Sequence, residues 1–182
     1  VITNSGGLKI TDGAIACGRD LRVGTNAVLG LYRNGSQGPE LVVERHAILW
    51  GGQFQYFFGY AAPTSLCIRG NFLVTNAASF YVSSGPTNAA GLDYGGRVLV
   101  GGDMMVGPAS TVYPQSELTN GGSVLFQMRD LTVTAGGVFN ADTRGFMGVP
   151  NGSTRDGYGP GGGKSVGSSG TGGGYGGAKP LP

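Results

Sequence analysis

Charged side chains are scarce in this sequence, and their scarcity limits the partners that the chain can bind. Lys, Arg, Asp and Glu make up 12% of the 182 residues, roughly half of the usual share of about 25%. The formal net charge is +2, and no basic stripe of the kind that binds a phosphate backbone is present. We therefore expect no nucleic-acid partner.

Long apolar runs are also missing. None approaches the roughly 20 consecutive apolar residues that a membrane-spanning helix needs, so we expect no membrane insertion. The sequence starts at Val1 without a signal peptide, which indicates either a removed leader or a piece of a longer chain.

Residues for nucleophilic or metal chemistry are almost absent. His46 is the single histidine, and no Ser or Cys lies in a recognisable supporting motif. The sequence therefore does not indicate a catalytic nucleophile paired with a general base. Two cysteines without further Cys or His ligands do not make a zinc site. We therefore expect no catalytic residue, no metal ligand and no cofactor, and we interpret His46 as a solvent-facing strand residue.

Glycine, by contrast, is abundant, at 38 of 182 residues against a usual share of about 7%. Between the glycines a short element recurs, most clearly as Gly102-Asp103-Met104-Met105-Val106. Related copies begin at Arg19, Gly70 and Arg129, and Leu41-Val42-Val43 keeps only the apolar triplet. The first apolar positions are separated by 20, 31, 32 and 27 residues and are Leu21, Leu41, Phe72, Met104 and Leu131. A period in this range is typical of a repeat architecture.

Each pass of the repeat contains up to three short runs of strand character, separated by Gly, Asn or Asp. No Gly-free segment of 10 to 12 residues has helical periodicity, which argues against crossover helices. The repeated order of three strands predicts an all-β fold, a parallel β-helix of about five coils over residues 1–144, and the resemblance described below implies that it is right-handed. The pass around residues 41–64 is the irregular one. An antiparallel β-sandwich is the alternative fold.

Aspartate or asparagine precedes most of the apolar triplets, at Asp20, Asn71, Asp103 and Asp130. We interpret these residues as corner caps, because Asp and Asn side chains accept hydrogen bonds from nearby backbone amides. Stacked carboxylates that bind Ca²⁺ are the alternative interpretation.

The two cysteines, Cys17 and Cys67, each precede the same kind of corner. In a β-helix they are predicted to lie two coils apart, near 10 Å, which exceeds the limit of about 7 Å on the Cα separation of a disulfide. The sequence therefore predicts two buried, unpaired thiols.

Aromatic residues are concentrated in residues 50–64. This segment is expected to fill the core or to contact another subunit, where Trp and Tyr are enriched, and stacking on a glycan is the alternative. The candidate interface or glycan contacts are Trp50, Tyr56, Phe57, Phe58 and Tyr60.

Residues 145–182 have a different composition, rich in Gly and Pro and without strand patterning. We expect this tail to pack on the folded body or on a neighbouring subunit, with Tyr158 and Tyr175 as anchors.

The passes, especially residues 131–141 (LTVTAGGVFNA), resemble coils of right-handed β-helix regions in large bacterial extracellular and autotransporter-like surface proteins. The glycine-rich segments 157–163 and 172–177 are similar to stretches that follow such coils. The resemblance implies an extracellular or cell-surface location. It also allows for adhesins and polysaccharide lyases, but the clustered acidic and basic groove residues of the lyases have no match here.

The exposed ends of a short solenoid carry unpaired strand edges that require a cap or another subunit, and no amphipathic helix is available to cap them. We therefore expect a non-enzymatic structural protein that assembles with copies of itself into a surface fibre or layer. The alternative is a carbohydrate-binding or polysaccharide-cleaving β-helix protein or an adhesin fragment, with glycans as the partner.

Overall fold

The computed structural model describes residues 1–3, 6–11, 13–33, 38–59, 64–86, 94–118 and 122–145, together with the backbone of 165–166 and 169–170. Residues 165–166 and 169–170 form a short antiparallel pair. The rest of the predicted tail, including Tyr158 and Tyr175, lies outside the described residues.

The chain folds into a right-handed parallel β-helix with three sheets, which confirms the predicted fold. Sheet 1 contains β1 (Gly7–Thr11), β4 (Val28–Tyr32), β7 (Gln53–Phe57), β10 (Ser79–Ser83), β13 (Thr111–Gln115) and β16 (Val138–Phe139). Sheet 2 contains β2 (Ala14–Cys17), β5 (Glu40–Val43), β8 (Thr64–Ile68), β11 (Tyr94–Val100) and β14 (Ser123–Gln127). Sheet 3 contains β3 (Leu21–Val23), β6 (Ala47–Trp50), β9 (Phe72–Thr75), β12 (Met104–Val106) and β15 (Leu131–Val133). The short pair in the tail is β17 (Ser165–Val166) and β18 (Ser169–Gly170).

Each coil supplies one strand to sheets 1, 2 and 3 in that order, and each strand pairs in parallel with its equivalents in the neighbouring coils. Five complete coils are followed by β16, the first strand of a sixth. Because parallel strands lie about 4.8 Å apart, every position in one coil stacks on its equivalent in the next.

The second coil is complete, so the prediction of an irregular pass around residues 41–64 was wrong. Leu41 lies in sheet 2, where it pairs with Ile15 and Leu66, and is not the equivalent of Leu21. The true equivalent of Leu21 is Ala47.

The core consists of the inward-facing alternate residues of all three sheets, and it is aromatic in the middle coils. Phe54, Phe72 and Phe80 are fully buried. The Phe80 ring lies 5.2 Å from that of Phe54 and 5.1 Å from that of Phe72, between centroids. Successive side chains of a strand point to opposite faces, so one alternate set points inward in every coil, and this produces the continuous interior stack.

The three corners of the coil differ in length. The connection from sheet 2 to sheet 3 always has three residues, at 18–20, 44–46, 69–71, 101–103 and 128–130. The connection from sheet 1 to sheet 2 varies, at 12–13, 33–39, 58–63, 84–93 and 116–122. Most of the irregular repeat spacing therefore arises at the corner between sheets 1 and 2.

At this variable corner the backbone packs closely through glycines, both within one coil and between coils. A Cβ placed on Gly95 would lie 1.6 Å from the carbonyl oxygen of Gly85 in the same coil, and one on Gly122, in the next coil, would lie 1.9 Å from the same oxygen. Only residues without a side chain permit this approach.

Candidate functional site

The aromatic segment 50–64 does not form one surface. Tyr56 and Phe58 are fully buried in the core, whereas Trp50 is 53% exposed on the outer face of sheet 3. Phe57 points outward from sheet 1. Tyr60 lies outside the described residues. The side chains of Tyr56 and Phe58 are therefore not accessible to a glycan or a partner.

Tyr56 has a structural role. Its hydroxyl donates to the carbonyl oxygen of Pro39 at 2.5 Å, which links sheet 1 to the end of the connection that precedes β5 in the neighbouring coil. Burial, with a smaller contribution from the negative charge of Glu40, raises the pKa of Tyr56 above its usual value. The phenol thus remains a neutral hydrogen-bond donor.

The outer face of sheet 1 carries aromatic stacks that the sequence analysis missed. Tyr81 and Tyr113 stack at 4.5 Å between centroids with an angle of 12° between the rings. The guanidinium carbon of Arg144 lies 4.6 Å from the centre of the Tyr113 ring. These contacts cover faces of the Tyr81 and Tyr113 rings on which a sugar would have to stack. We therefore interpret the stack as a contact that stabilises the packing of neighbouring coils. The parallel register, which pairs residue 81 with residue 113, is the signal that would have revealed it.

The corner between sheets 2 and 3 carries a ladder of hydrogen-bond acceptors that runs from coil to coil. Asp20 Oδ1 accepts from the backbone N–H of His46 at 3.3 Å, and His46 Nδ1 accepts from the N–H of Asn71 at 3.0 Å. Asn71 Oδ1 in turn accepts from the N–H of Asp103 at 3.0 Å. The predicted role as corner caps is confirmed for Asp20 and Asn71, with the difference that each side chain caps the next coil.

His46 belongs to this acceptor ladder and not to a strand. It is the last residue of the three-residue connection before β6, so its interpretation as a strand residue was wrong. Since Nδ1 accepts a hydrogen bond from a backbone amide, the neutral imidazole carries its proton on Nε2.

Replacing His46 with leucine should lower the free energy of unfolding by about 1 kcal/mol, because the N–H of Asn71 loses its acceptor while water replaces part of the bond. His46→Asn keeps a short side-chain acceptor at this position and should retain most of the stability. Urea denaturation of both variants, followed by circular dichroism, checks this. Equal losses in the two variants would show that the imidazole stabilises by packing alone.

Arginines pair with the carboxylates of the same corner. Arg129 donates from Nε to Asp103 Oδ1 at 2.8 Å and from a terminal nitrogen to Oδ2 at 2.6 Å, so that it bridges coils 5 and 4. The hydrogen bond and charge of Arg129 lower the pKa of Asp103 despite some desolvation. At Asp20, desolvation is outweighed by the His46 amide and the charge of Arg45, and the pKa is again lowered.

These lowered pKa values predict a loss of stability in acid. A carboxyl group whose pKa is lower in the folded chain stabilises it at a pH above the unfolded value and loses that contribution as pH falls through the folded value. The unfolding midpoint in urea should therefore decrease as the pH falls below about 4, and Asp103→Asn should reduce that decrease. Asp142→Asn, in the exposed end of the last coil, is the matched control and should leave the pH dependence unchanged.

The two cysteines are free, and they lie two coils apart. Cys17 pairs with Val43, and Val43 pairs with Ile68 in the next coil. The residue that stacks in line with Cys17 is therefore Ile68, and the neighbouring Cys67 points to the opposite face of the sheet. The prediction of unpaired thiols is confirmed, but neither thiol is fully buried. Cys17 faces the first-coil end of the core, while Cys67 lines a shallow outer groove with Leu99 and Met128.

In sheet 3 the last coil leaves its inward-facing side chains exposed among the described residues. Leu131 is 49% exposed and Val133 is 44% exposed, although they stack on Met104 and Val106, which are fully buried. The upper edges of β14, β15 and β16 have no strand partner among the described residues. Within the part of the chain that the structure describes, the core is thus open at this end.

The first coil presents the opposite edge. Leu8 is 45% exposed, and Ile10, Ile15 and Cys17 are half-buried. In sheet 3 alone the edge is extended, because Ile2 forms a parallel bridge to Val23. Its N–H donates to the carbonyl oxygen of Arg22 at 2.9 Å.

Within the described ranges, no group of three or more His, Cys, Asp and Glu side chains is placed to hold a metal ion. No helix in the described part of the chain has the length and hydropathy to cross a membrane. No family model, curated protein or solved structure matches this chain.

Proposed function

We propose that this chain is a non-enzymatic structural protein of the extracellular space or cell surface, which assembles with copies of itself into a fibre or layer. The observation that carries the proposal is the pair of open ends. Interior positions that are fully buried in the middle coils become exposed at the two ends, among them Leu8 in the first coil and Leu131 and Val133 in the last. Continuing the stack would bury them.

The exposed edges also favour a second copy as the partner. All strands in the three sheets run parallel, so the upper edge of one molecule has the hydrogen-bonding pattern that the lower edge of another requires. Two different surfaces meet in such a contact. It is therefore heterologous, and repeated contacts of this kind extend into a filament.

Low charge supports the same function. Electrostatic repulsion between copies is weak, since the formal net charge is only +2 over 182 residues. The extracellular location rests on the resemblance of the coils and the tail to surface proteins.

Charging the open end should abolish assembly. In the variant Leu131→Lys with Val133→Lys, two ammonium groups would have to be buried in a contact between copies, which is far too costly without partners. The variant is expected to remain monomeric at concentrations at which the unchanged chain forms fibres. Electron microscopy and sedimentation velocity measure this.

Thr132→Lys is the matched control, because Thr132 lies on the same strand but points outward, and it should leave assembly unchanged. A chain that stays monomeric at every concentration, or a doubly charged variant that forms fibres as the unchanged chain does, would contradict the proposal.

A further inference from the structure

The register of the coils defines how two copies would meet, if the proposed self-assembly is correct. Each sheet can be followed as a series of rungs, one rung for each coil. At the upper end the last described rungs are β16 in sheet 1, β14 in sheet 2 and β15 in sheet 3. At the lower end the first rungs are β1, β2 and, in sheet 3, the bridge residue Ile2.

The number of rungs differs between the three sheets. Sheet 1 has one strand more than sheet 2, since β16 begins a sixth coil. Sheet 3 gains an additional rung at the bottom, because Ile2 lies below β3. Sheet 2 has neither addition. If two copies stack so that sheets 1 and 3 continue without a break, sheet 2 therefore lacks one rung at the junction.

We infer that copies join head to tail in this register, with β16 of one molecule beside β1 of the next and with β15 beside the Ile2 segment. The internal stacking then continues across the junction. Phe139 stands in the column that contains Leu29 and Leu8, so Leu8 of the next copy lies on Phe139. Val133 stands in the column of Val23, so Ile2 of the next copy lies on Val133.

Exposure supports these two pairs. Leu8 is 45% exposed and Val133 is 44% exposed, while Ile2 and Phe139 are half-buried and pack against the core. All four are apolar, and each would occupy the space that a further coil supplies in the middle of the molecule. The junction thus extends the core in sheets 1 and 3.

In sheet 2 the junction leaves a gap. β14 of one copy and β2 of the next are separated by two rung spacings, about 10 Å, compared with about 5 Å in sheets 1 and 3. The described part of the last coil ends at Gly145, in the connection that leads from sheet 1 towards sheet 2. The gap therefore lies on the side of the solenoid where the chain continues.

Engineered cysteine pairs test this register in the full-length chain, after both native thiols are changed by Cys17→Ser and Cys67→Ser. The pairs consist of outward-facing residues of strands or segments that would meet at the junction. A disulfide requires a Cα separation below about 7 Å, so only pairs in adjacent rungs can close. The sheet 1 pair is Lys9→Cys with Asn140→Cys, the sheet 3 pair is Thr3→Cys with Thr134→Cys, and the sheet 2 pair is Ala14→Cys with Leu125→Cys.

On oxidation of assembled material, the sheet 1 and sheet 3 pairs should give covalent ladders of dimers, trimers and longer chains in non-reducing gels. The sheet 2 pair should give monomer. Ladders from the sheet 2 pair, or none from any pair while fibres persist, would overturn the register and leave the proposed function intact. A Cys17 to Cys17 dimer in the unchanged chain would overturn it as well, because that bond requires two lower ends to meet. Absence of assembly in the unchanged chain would overturn both.

Discussion

Changing Gly95 to alanine is expected to lower the free energy of unfolding by at least about 3 kcal/mol, the upper end of the range for overpacking. The added Cβ would lie 1.6 Å from the carbonyl oxygen of Gly85 and 2.3 Å from its carbonyl carbon. Both obstacles are backbone atoms of Gly85, which lies near the other end of the connection from β10 to β11 in the same coil, so no side-chain rotation relieves the contact. The two ends of this connection would have to move apart, which would shift the start of β11 against its parallel neighbours.

Gly18→Ala is the control for this experiment. Gly18 lies at the corner between sheets 2 and 3, where a Cβ meets no atom within 4 Å and the backbone is not left-handed. Its replacement should change stability by no more than about 0.5 kcal/mol. Urea denaturation of both variants measures the difference. A loss at Gly95 no larger than that at Gly18 would mean that the two ends of the connection can move apart at little cost.

Removing the Phe80 ring is expected to be similarly severe. Phe80→Ala should cost about 3 to 5 kcal/mol, as is usual for a buried Phe changed to Ala. The ring is fully buried, and it contacts the rings of Phe54 and Phe72 at centroid distances of 5.2 and 5.1 Å. The cavity therefore disrupts packing between two sheets and two coils together.

Ser83→Ala, at an outward position on the same strand, should leave stability within about 0.5 kcal/mol. Thermal unfolding followed by circular dichroism compares the two variants. If Phe80→Ala unfolds close to the unchanged chain, the rings around it fill the space, and the core is more adaptable than its packing indicates.

The fold class could be predicted because the sequence pattern repeats at the level of whole coils. Triplets such as Phe72-Leu73-Val74 and Met104-Met105-Val106 have the same order of buried, outward and buried residues, and they pair position by position. Stacking of equivalent residues is a property of parallel coils, so the repeat order itself indicates a solenoid.

The second coil was misaligned for a chemical reason. The repeat was recognised by an Asp or Asn before each triplet, and position 46 has a histidine instead. The imidazole Nδ1 accepts the same hydrogen bond that a side-chain oxygen accepts elsewhere in the ladder. A search for any short-range acceptor three residues after a strand end would have found Ala47 as the equivalent of Leu21.

Strand β2 was missed because its residues give a weak pattern. Ala14 and Ala16 point outward, and the inward residues Ile15 and Cys17 are only half-buried at the end of the solenoid. The aromatic stacks on sheet 1 were missed because partners such as Tyr81 and Tyr113 are 32 residues apart in the sequence. Only the register brings them together.

The open ends were predictable in principle from the coil count, whereas their unequal rungs were not. Whether residues such as Ile2 add a rung depends on a single parallel bridge, and one bridge has no periodicity to detect. The proposed partner could therefore be expected from sequence, but the proposed register required coordinates.

The contrast between the corners has a consequence for display of foreign peptides. Connections of 6 to 10 residues already occur between sheets 1 and 2 from coil 2 onward, so an epitope added to this corner without disturbing the close-packed Gly85 should leave the strands in place. A single codon added between Val43 and Ala47 would instead pull His46 away from Asp20 and Asn71. In β6 it would exchange the two faces, so that the buried Ala47 and Leu49 turn to the solvent.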